Sequence, residues 1–335
     1  GLGDVYKRQV LDLCLSCKAC KSECPSNVDM AKLKAEFLQH WYDSNRIPLR
    51  TKLIANIVRI YQIGSIVPWI YNFISANRFL SFILKKIIGF ADKRRIPTVH
   101  RISLRKWIRR HLAALNKQLG AESPEVLLYV DEFTNYNDTQ IGITAIRLLN
   151  RLGIRIMTMK HPESARSFIS KGMLKEAKKI ADKNVRMLSC MVNEKRLMVG
   201  IEPSAILGFR DEIPDLVSDV YKDGAKRLSR YSYTIEEYIA KLDEEGRLPP
   251  ELFTISHKTL KLHGHCQQKA IASTSATLKI LSIPENYRVE EIPSGCCGMA
   301  GSFGYENEHY DPVSYTHLRA HETVLDLVCR LLLEK

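Results

Sequence analysis

Four cysteines constrain this chain more than any other feature: Cys14-Leu-Ser-Cys17-Lys-Ala-Cys20-Lys-Ser-Glu-Cys24-Pro25, spaced C-x2-C-x2-C-x3-C-P. Three thiols two residues apart sit on a loop tight enough to wrap the irons of a [4Fe-4S] cube, and the proline after the fourth turns the chain away. Disulfide pairing is the alternative. It suits small secreted, disulfide-dense chains, which 335 residues with nine cysteines and no signal peptide do not resemble. The reading points instead to a reducing, cytoplasmic compartment. In two-cluster proteins the fourth cysteine of such a run serves the other cluster, and no second run exists here. Cys14, Cys17 and Cys20 are then expected to lack their fourth ligand within this chain, and Cys24 to belong to a cluster whose other ligands are absent.

Both termini read as translated sequencing adapter. Residues 1–9, Gly1-Leu-Gly-Asp-Val-Tyr-Lys-Arg-Gln9, and the stretch Val313-Ser-Tyr-Thr-His-Leu-Arg-Ala-His-Glu-Thr323 with the tail behind it each match adapter codons. Residues 1–9 and 312–335 are therefore set aside from fold reasoning, and His317, His321 and Cys329 carry no functional weight.

Between these ends the texture changes twice. A helix is expected over residues 28–42, capped near Ser26 and Asn27. Residues 46–117 read as basic amphipathic helices broken at Gly64, Pro68, Gly89 and Pro97; they hold 16 Lys or Arg against one acid, Asp92, a local charge of +15 beside a whole-chain +13. The apolar stretch over residues 53–90 is interrupted by Arg59, Gln62, Asn72, Asn77 and Arg78, so it lacks the unbroken run of about 18 residues that a spanning helix needs. The block is either helical core with a solvated basic face or a docking surface, with Trp69, Tyr71, Phe73, Phe79, Phe82 and Trp107 serving one or the other. A peripheral contact on the inner face of the cytoplasmic membrane fits it. Nucleic acid does not, since no recognition motif accompanies the charge.

From Pro124 onward strands and helices alternate: strands at 126–130, 154–159, 197–201, 260–263 and 287–292, and helices at 139–152, 173–188 and 268–281, with polar helices filling 215–246. The expected class is α/β with parallel strands, behind an N-terminal helical ferredoxin-like part. Setting Asp131 against Cys266 without a gap also superposes Ser164-Ala-Arg-Ser-Phe168 on Met299-Ala-Gly-Ser-Phe303, so a strand-helix-strand unit is duplicated. The second copy carries thiols, Cys266 and the adjacent pair in Gly295-Cys296-Cys297-Gly298; the first has Asp131 and His161-Pro-Glu163 in their place. Neighbouring thiols on glycine-flanked backbone favour ligation over a strained vicinal disulfide. His263 and His265 are either further ligands, hydrogen-bond donors, or solvent-facing. Cys190, near the end of an amphipathic helix, reads as a small buried hydrophobe.

The cysteine run within residues 11–30, Asp131-Glu-Phe-Thr-Asn-Tyr-Asn-Asp138, Gly200-Ile-Glu-Pro-Ser204 and Pro293-Ser-Gly-Cys-Cys-Gly-Met-Ala-Gly-Ser-Phe-Gly-Tyr-Glu306 together resemble the C-terminal iron-sulfur half of FAD-linked D-2-hydroxyacid dehydrogenases of the D-lactate or glycolate type, in which a ferredoxin part precedes a cysteine-rich CCG domain. The resemblance implies a partial ferredoxin-type domain at 10–45, a basic helical linker at 46–123 and a two-repeat CCG domain at 124–311. It implies metal ligation by Cys14, Cys17, Cys20, Cys24, Cys266, Cys296 and Cys297, FAD on an upstream flavin domain, and electron delivery to a quinone or cytochrome. No catalytic residue is expected here. Departures are the missing second cysteine run, Gln267 where the family has histidine, and no cysteine between the CCG motif and the adapter-like tail. A separate iron-sulfur subunit of a glycerol-3-phosphate dehydrogenase or heterodisulfide reductase complex, and a zinc-binding structural module, are the competing readings.

Overall fold

The computed structural model describes residues 2–248, 250–253, 255–293 and 296–311. The C-terminal adapter-like stretch, with His317, His321 and Cys329, lies outside the described residues. The N-terminal one does not: α1 (Leu2–Asp12) is helical across it.

The cysteine run encloses the short α2 (Ala19–Glu23), and α3 (Met30–Ser44) follows. Its cap is Asp29, whose carboxylate accepts from the Ala31 and Lys32 amides, rather than the expected Ser26 or Asn27. The basic block forms α4 (Leu49–Ala55), α5 (Ile57–Gly64), α6 (Pro68–Ala76), α7 (Arg78–Ile88) and α8 (Leu104–Lys117). Gly64, Pro68 and Gly89 punctuate it as expected. Two further breaks fall at Asn56 and Asn77, and the Asn77 side chain caps α7.

The α/β part begins with β1 (Glu125–Tyr129), α9 (Glu132–Tyr136), α10 (Thr139–Arg151) and β2 (Arg155–Met157). It continues through α11 (Arg166–Ser170), α12 (Leu174–Leu188), β3 (Arg196–Gly200), α13 (Pro203–Ile206), α14 (Glu212–Leu216), α15 (Lys222–Tyr231), β4 (Ser232–Thr234) and α16 (Ile235–Glu244). The strands form one parallel sheet in the order β2-β1-β3-β4. Both faces are covered: Val126 and Leu128 of β1 join the core with Trp107 of α8 and Ile146 of α10, while Leu127 and Tyr129 face Val185 of α12 and Leu228 of α15. The short β4 is absent from the sequence expectation, because Ser232-Tyr-Thr234 lacks an apolar run and is buried by its register beside β3.

A second, two-stranded parallel sheet pairs β5 (Lys258–Leu262) with β6 (Tyr287–Glu291) through α17 (Cys266–Ile271) and α18 (Ser275–Leu281). Leu260, Ile280 and Tyr287 complete the same core as β1. The single expected helix over 268–281 is thus two, parted where Ser273-Thr-Ser275 offers hydroxyls that compete with the helical ladder. The chain is α/β, as its alternating pattern predicts.

Candidate functional site

In the cysteine loop, Ser16 and Lys18 hold left-handed backbone, φ 54° and 64°. Non-glycine residues occupy this region at a cost of roughly 1 kcal/mol or more, and alternating it with right-handed residues turns successive amides into a concavity. Sulfur receives those amides: Ser16 N–H donates to Cys14 Sγ at 3.4 Å, and the backbone around residues 26–28 donates to Cys24 and lowers its pKa.

What fixes the loop is an ion cluster built from distant sequence. The Lys18 side chain is fully buried, and its ammonium meets Asp211 at 2.5 Å, Asp29 at 2.8 Å and Glu212 at 3.1 Å. Lys21 and Lys32 reach the same Asp211 carboxylate at 2.6 and 3.0 Å, and Arg166 holds Glu212. Burial alone would discharge Lys18, but attraction to Glu212 and the hydrogen bonds to Asp211 and Asp29 outweigh it and raise its pKa. Burial likewise opposes the Asp211 carboxylate, and the Lys18 and Lys21 donors overcome that and hold it below the usual carboxylate range. None of these charges was singled out in the sequence. Lys18 looks there like one more solvated cation, and two of its three partners, Asp211 and Glu212, lie some 190 positions away.

With the loop so held, α2 packs against α17, and the Gln267 amide donates to Ser16 O at 3.3 Å. Cys266 opens α17, and Cys296 and Cys297 precede a strap that crosses the helical region. Phe90 and Glu306 form an antiparallel bridge, Ala91 N–H donates to Tyr305 O, Arg94 Nε donates to Gly304 O, and Lys171 pairs with Glu306 at 2.6 Å.

The two sets meet here. Cys296 lies within interaction reach of Cys17, Cys266 and Cys297, and this crowding of thiols drives its pKa up. Proximity to Cys296 lowers the pKa of Cys17, Cys297 and Cys266 in turn. Gly298 N–H donates to Cys296 Sγ at 3.4 Å. All seven thiols of the two sets are half-buried. Half-buried thiols taking backbone N–H donors from left-handed loops, with Cys17, Cys24, Cys266 and Cys297 held below the usual thiol range, form a donor set that fits iron-sulfur ligation. Among the described residues no group of three or more His, Cys, Asp or Glu is arranged to hold a single metal ion.

His265 caps α17, its Nδ1 accepting from Gln267 N at 3.2 Å, and its Nε2 faces Glu202 at 3.6 Å; of the readings open to it, capping is the one the geometry displays. Cys190 corrects the sequence reading, since it is exposed. Helix α12 ends at Leu188, its last inward residue, and Cys190 falls in the turn beyond, off the apolar stripe.

Where the second copy has Cys266 the first has the buried Asp131, and where it has Cys296 and Cys297 the first has His161 and Pro162; carboxyls gather nearby. Asp131 follows β1, Glu202 follows β3 and Glu236 follows β4 at the carboxyl edge of the sheet, with Glu163 after β2. Burial, then the charges of Glu202 and Glu132, push Asp131 up to about 7; burial also pushes Glu163 and Glu236 up to about 7. Glu236 Oε2 has no hydrogen-bond partner.

Comparison with known proteins brings in oxidoreductases. The chain is 26% identical over 314 residues to D-2-hydroxyglutarate dehydrogenase of Escherichia coli, covering 91% of this chain and 29% of that protein. The enzyme of the same name from Haemophilus influenzae is 25% identical over 314 residues, covering 89% and 29%. One of the subunits of the anaerobic glycerol-3-phosphate dehydrogenase of E. coli is 24% identical over 274 residues, covering 80% and 66%. The chain therefore spans less than a third of the length of the hydroxyglutarate dehydrogenases it matches. No family model matches, and no solved structure does.

Two measurements check this description. Lys18→Met leaves Asp211, Asp29 and Glu212 crowded without their central cation and is expected to cost about 3–5 kcal/mol in urea unfolding, part of it recovered in Lys18→Met/Asp211→Asn. For Glu236, the folded chain binds the proton more tightly than the unfolded one. Its contribution is full below the unfolded value near pH 4 and is lost as pH rises through about 7. Glu236→Gln should therefore flatten the fall in unfolding free energy across that window by on the order of 3 kcal/mol.

Proposed function

We propose that residues 10–311 are the iron-sulfur electron-transfer portion of a FAD-linked D-2-hydroxyacid dehydrogenase. The observation that carries the reading is the placement of Cys17 beside Cys296 and within electrostatic reach of Cys266, with α2 packed on α17, which makes neighbours of two cysteine sets some 250 residues apart. Cys14, Cys17 and Cys20 would hold a [4Fe-4S] group completed by a ligand from elsewhere, Cys24 would serve a neighbouring one, and Cys266, Cys296 and Cys297 would hold a further iron-sulfur group. Such groups supply one-electron transfer when bound. The chain's own residues place and insulate them: Lys18 and Asp211 hold the first loop, backbone amides donate to sulfur, and the 298–311 strap returns Cys296 and Cys297 to the loop.

Supporting a duplicated cysteine-rich CCG domain at 124–311, each copy pairs its two strands in parallel, and the superposed Ala165 and Ala300 share left-handed backbone, φ 66° and 36°. Asp131 and Cys266 both open the helix after the first strand of their copy. Only the second copy would then bind a group. The oxidation of a 2-hydroxyacid would fall to a flavin domain, and the names of the relatives favour D-2-hydroxyglutarate over lactate. A quinone or cytochrome would take the electrons.

A second reading, a separate iron-sulfur subunit beside a flavoprotein, is favoured by the larger share of the glycerol-3-phosphate dehydrogenase relative that the chain covers. Both readings share one test. Anaerobic reconstitution with iron and sulfide should give a brown protein with a cubane EPR signal on reduction. Cys17→Ser and Cys297→Ser should each lose about half the bound iron or more, and exposed Cys190→Ser none. Retention of zinc alone would overturn both.

A further inference from the structure

Helices α6 and α7 are built inside out. Their buried positions are polar: Ser75, Ser81 and Lys85 face the protein, with Ser81 only 5% exposed. Their apolar positions face outward: Trp69, Phe79 and Ile87 are 73%, 70% and 68% exposed, and Phe73, Leu80 and Phe82 are exposed as well. Lys85, with the half-buried Tyr71 and Asn72, bonds the segment behind the hairpin. Lys85 Nζ donates to Asp92 O at 2.9 Å, Tyr71 OH donates to Pro97 O, and Asn72 exchanges two hydrogen bonds with Val99 at 2.8 and 2.9 Å. The hairpin is thereby bound to the body through its polar stripe, and this orientation leaves the hydrocarbon surface to solvent. A contiguous aromatic and aliphatic face of this kind marks an interaction surface rather than a scatter of exposed residues.

We propose that this face lies in the surface of an anionic bilayer, sunk to the level of the headgroup and acyl boundary. Charge selects the occupant. Arg78 and Lys86 stand exposed on α7, and Lys93 and Arg95 are exposed on the segment the hairpin is bonded to. Asp92 is the only acid across residues 46–117. An apolar band with Trp and Phe, rimmed by cations whose long stems can reach up to phosphates, is the pattern of in-plane membrane binding. Length sets the depth. At 9 and 11 residues, α6 and α7 are about 14 and 17 Å long, near half of a hydrocarbon core of about 30 Å. Among the described residues no helix is long and apolar enough to cross a membrane. This inference does not depend on the iron-sulfur reading.

The 335-residue chain is tested by flotation with vesicles of phosphatidylglycerol mixed into phosphatidylcholine, and with phosphatidylcholine alone. Binding to the anionic vesicles is expected, weakening as salt rises, with tryptophan emission quenched by brominated acyl chains. Trp69→Ser/Phe73→Ser/Phe79→Ser should lower the affinity by at least about tenfold and abolish the quenching, with an unchanged circular dichroism spectrum. Arg78→Glu/Lys86→Glu, on the outer surface, should also lower it and serves if the first variant does not fold. Three results would each overturn the proposal: no binding to anionic vesicles, equal binding by the variants, or binding without quenching. So would a triple variant whose only change is conversion of a dimer to a monomer in sedimentation, which would assign the face to a second copy.

Discussion

The buried ammonium of Lys18 is the interaction on which the arrangement depends. A lone charge at that depth would be discharged or expelled, so its presence requires the Asp29, Asp211 and Glu212 carboxylates around it, and theirs requires Lys18, Lys21, Lys32 and Arg166. The mutual requirement joins residues from the cysteine loop, α3, α11 and α14. Hydrophobic contact alone would let the loop slide over the body. An ion cluster with this many directional partners gives one position, and the thiols inherit it.

From that position follows the meeting of the cysteine sets. The loop presents Cys17 toward α17, and the strap over residues 298–311 presents Cys296 and Cys297 from the other side, through Glu306 and the backbone of Phe90 and Ala91. The helical block between 46 and 117 is therefore more than a spacer. It supplies the surface across which the strap returns, and its outward hairpin is a consequence of committing its polar groups to segment 92–99.

Much of this was legible in the residues, because it is local. The cysteine spacing, the strands with their period, and the helix-ending Gly64, Gly89 and Gly153 all act within a few positions, and the parallel α/β class follows from their order. What failed to show was either non-local or directional. Lys18 and Asp211 pair across 193 positions, and nothing in the sequence around either names the other. Amphipathic periodicity in α6 and α7 reveals two faces without saying which one the protein covers, so core and docking surface stood level. Cys190 was placed in the core by a periodic pattern extended one turn too far. Each cysteine set could be read alone, whereas their contact is set by the ion cluster and the strap.

The central claim is that the Lys18 cluster holds the first cysteine loop against the second set, and thiol proximity measures it most directly. The reduced chain can be treated with a short bifunctional thiol reagent and the bridged peptides identified by mass spectrometry. The account predicts that peptides bridging Cys17 to Cys296, Cys297 or Cys266 dominate, and that Lys18→Met removes them while leaving bridges within residues 14–24. Bridges confined to each set in the unsubstituted chain would contradict it.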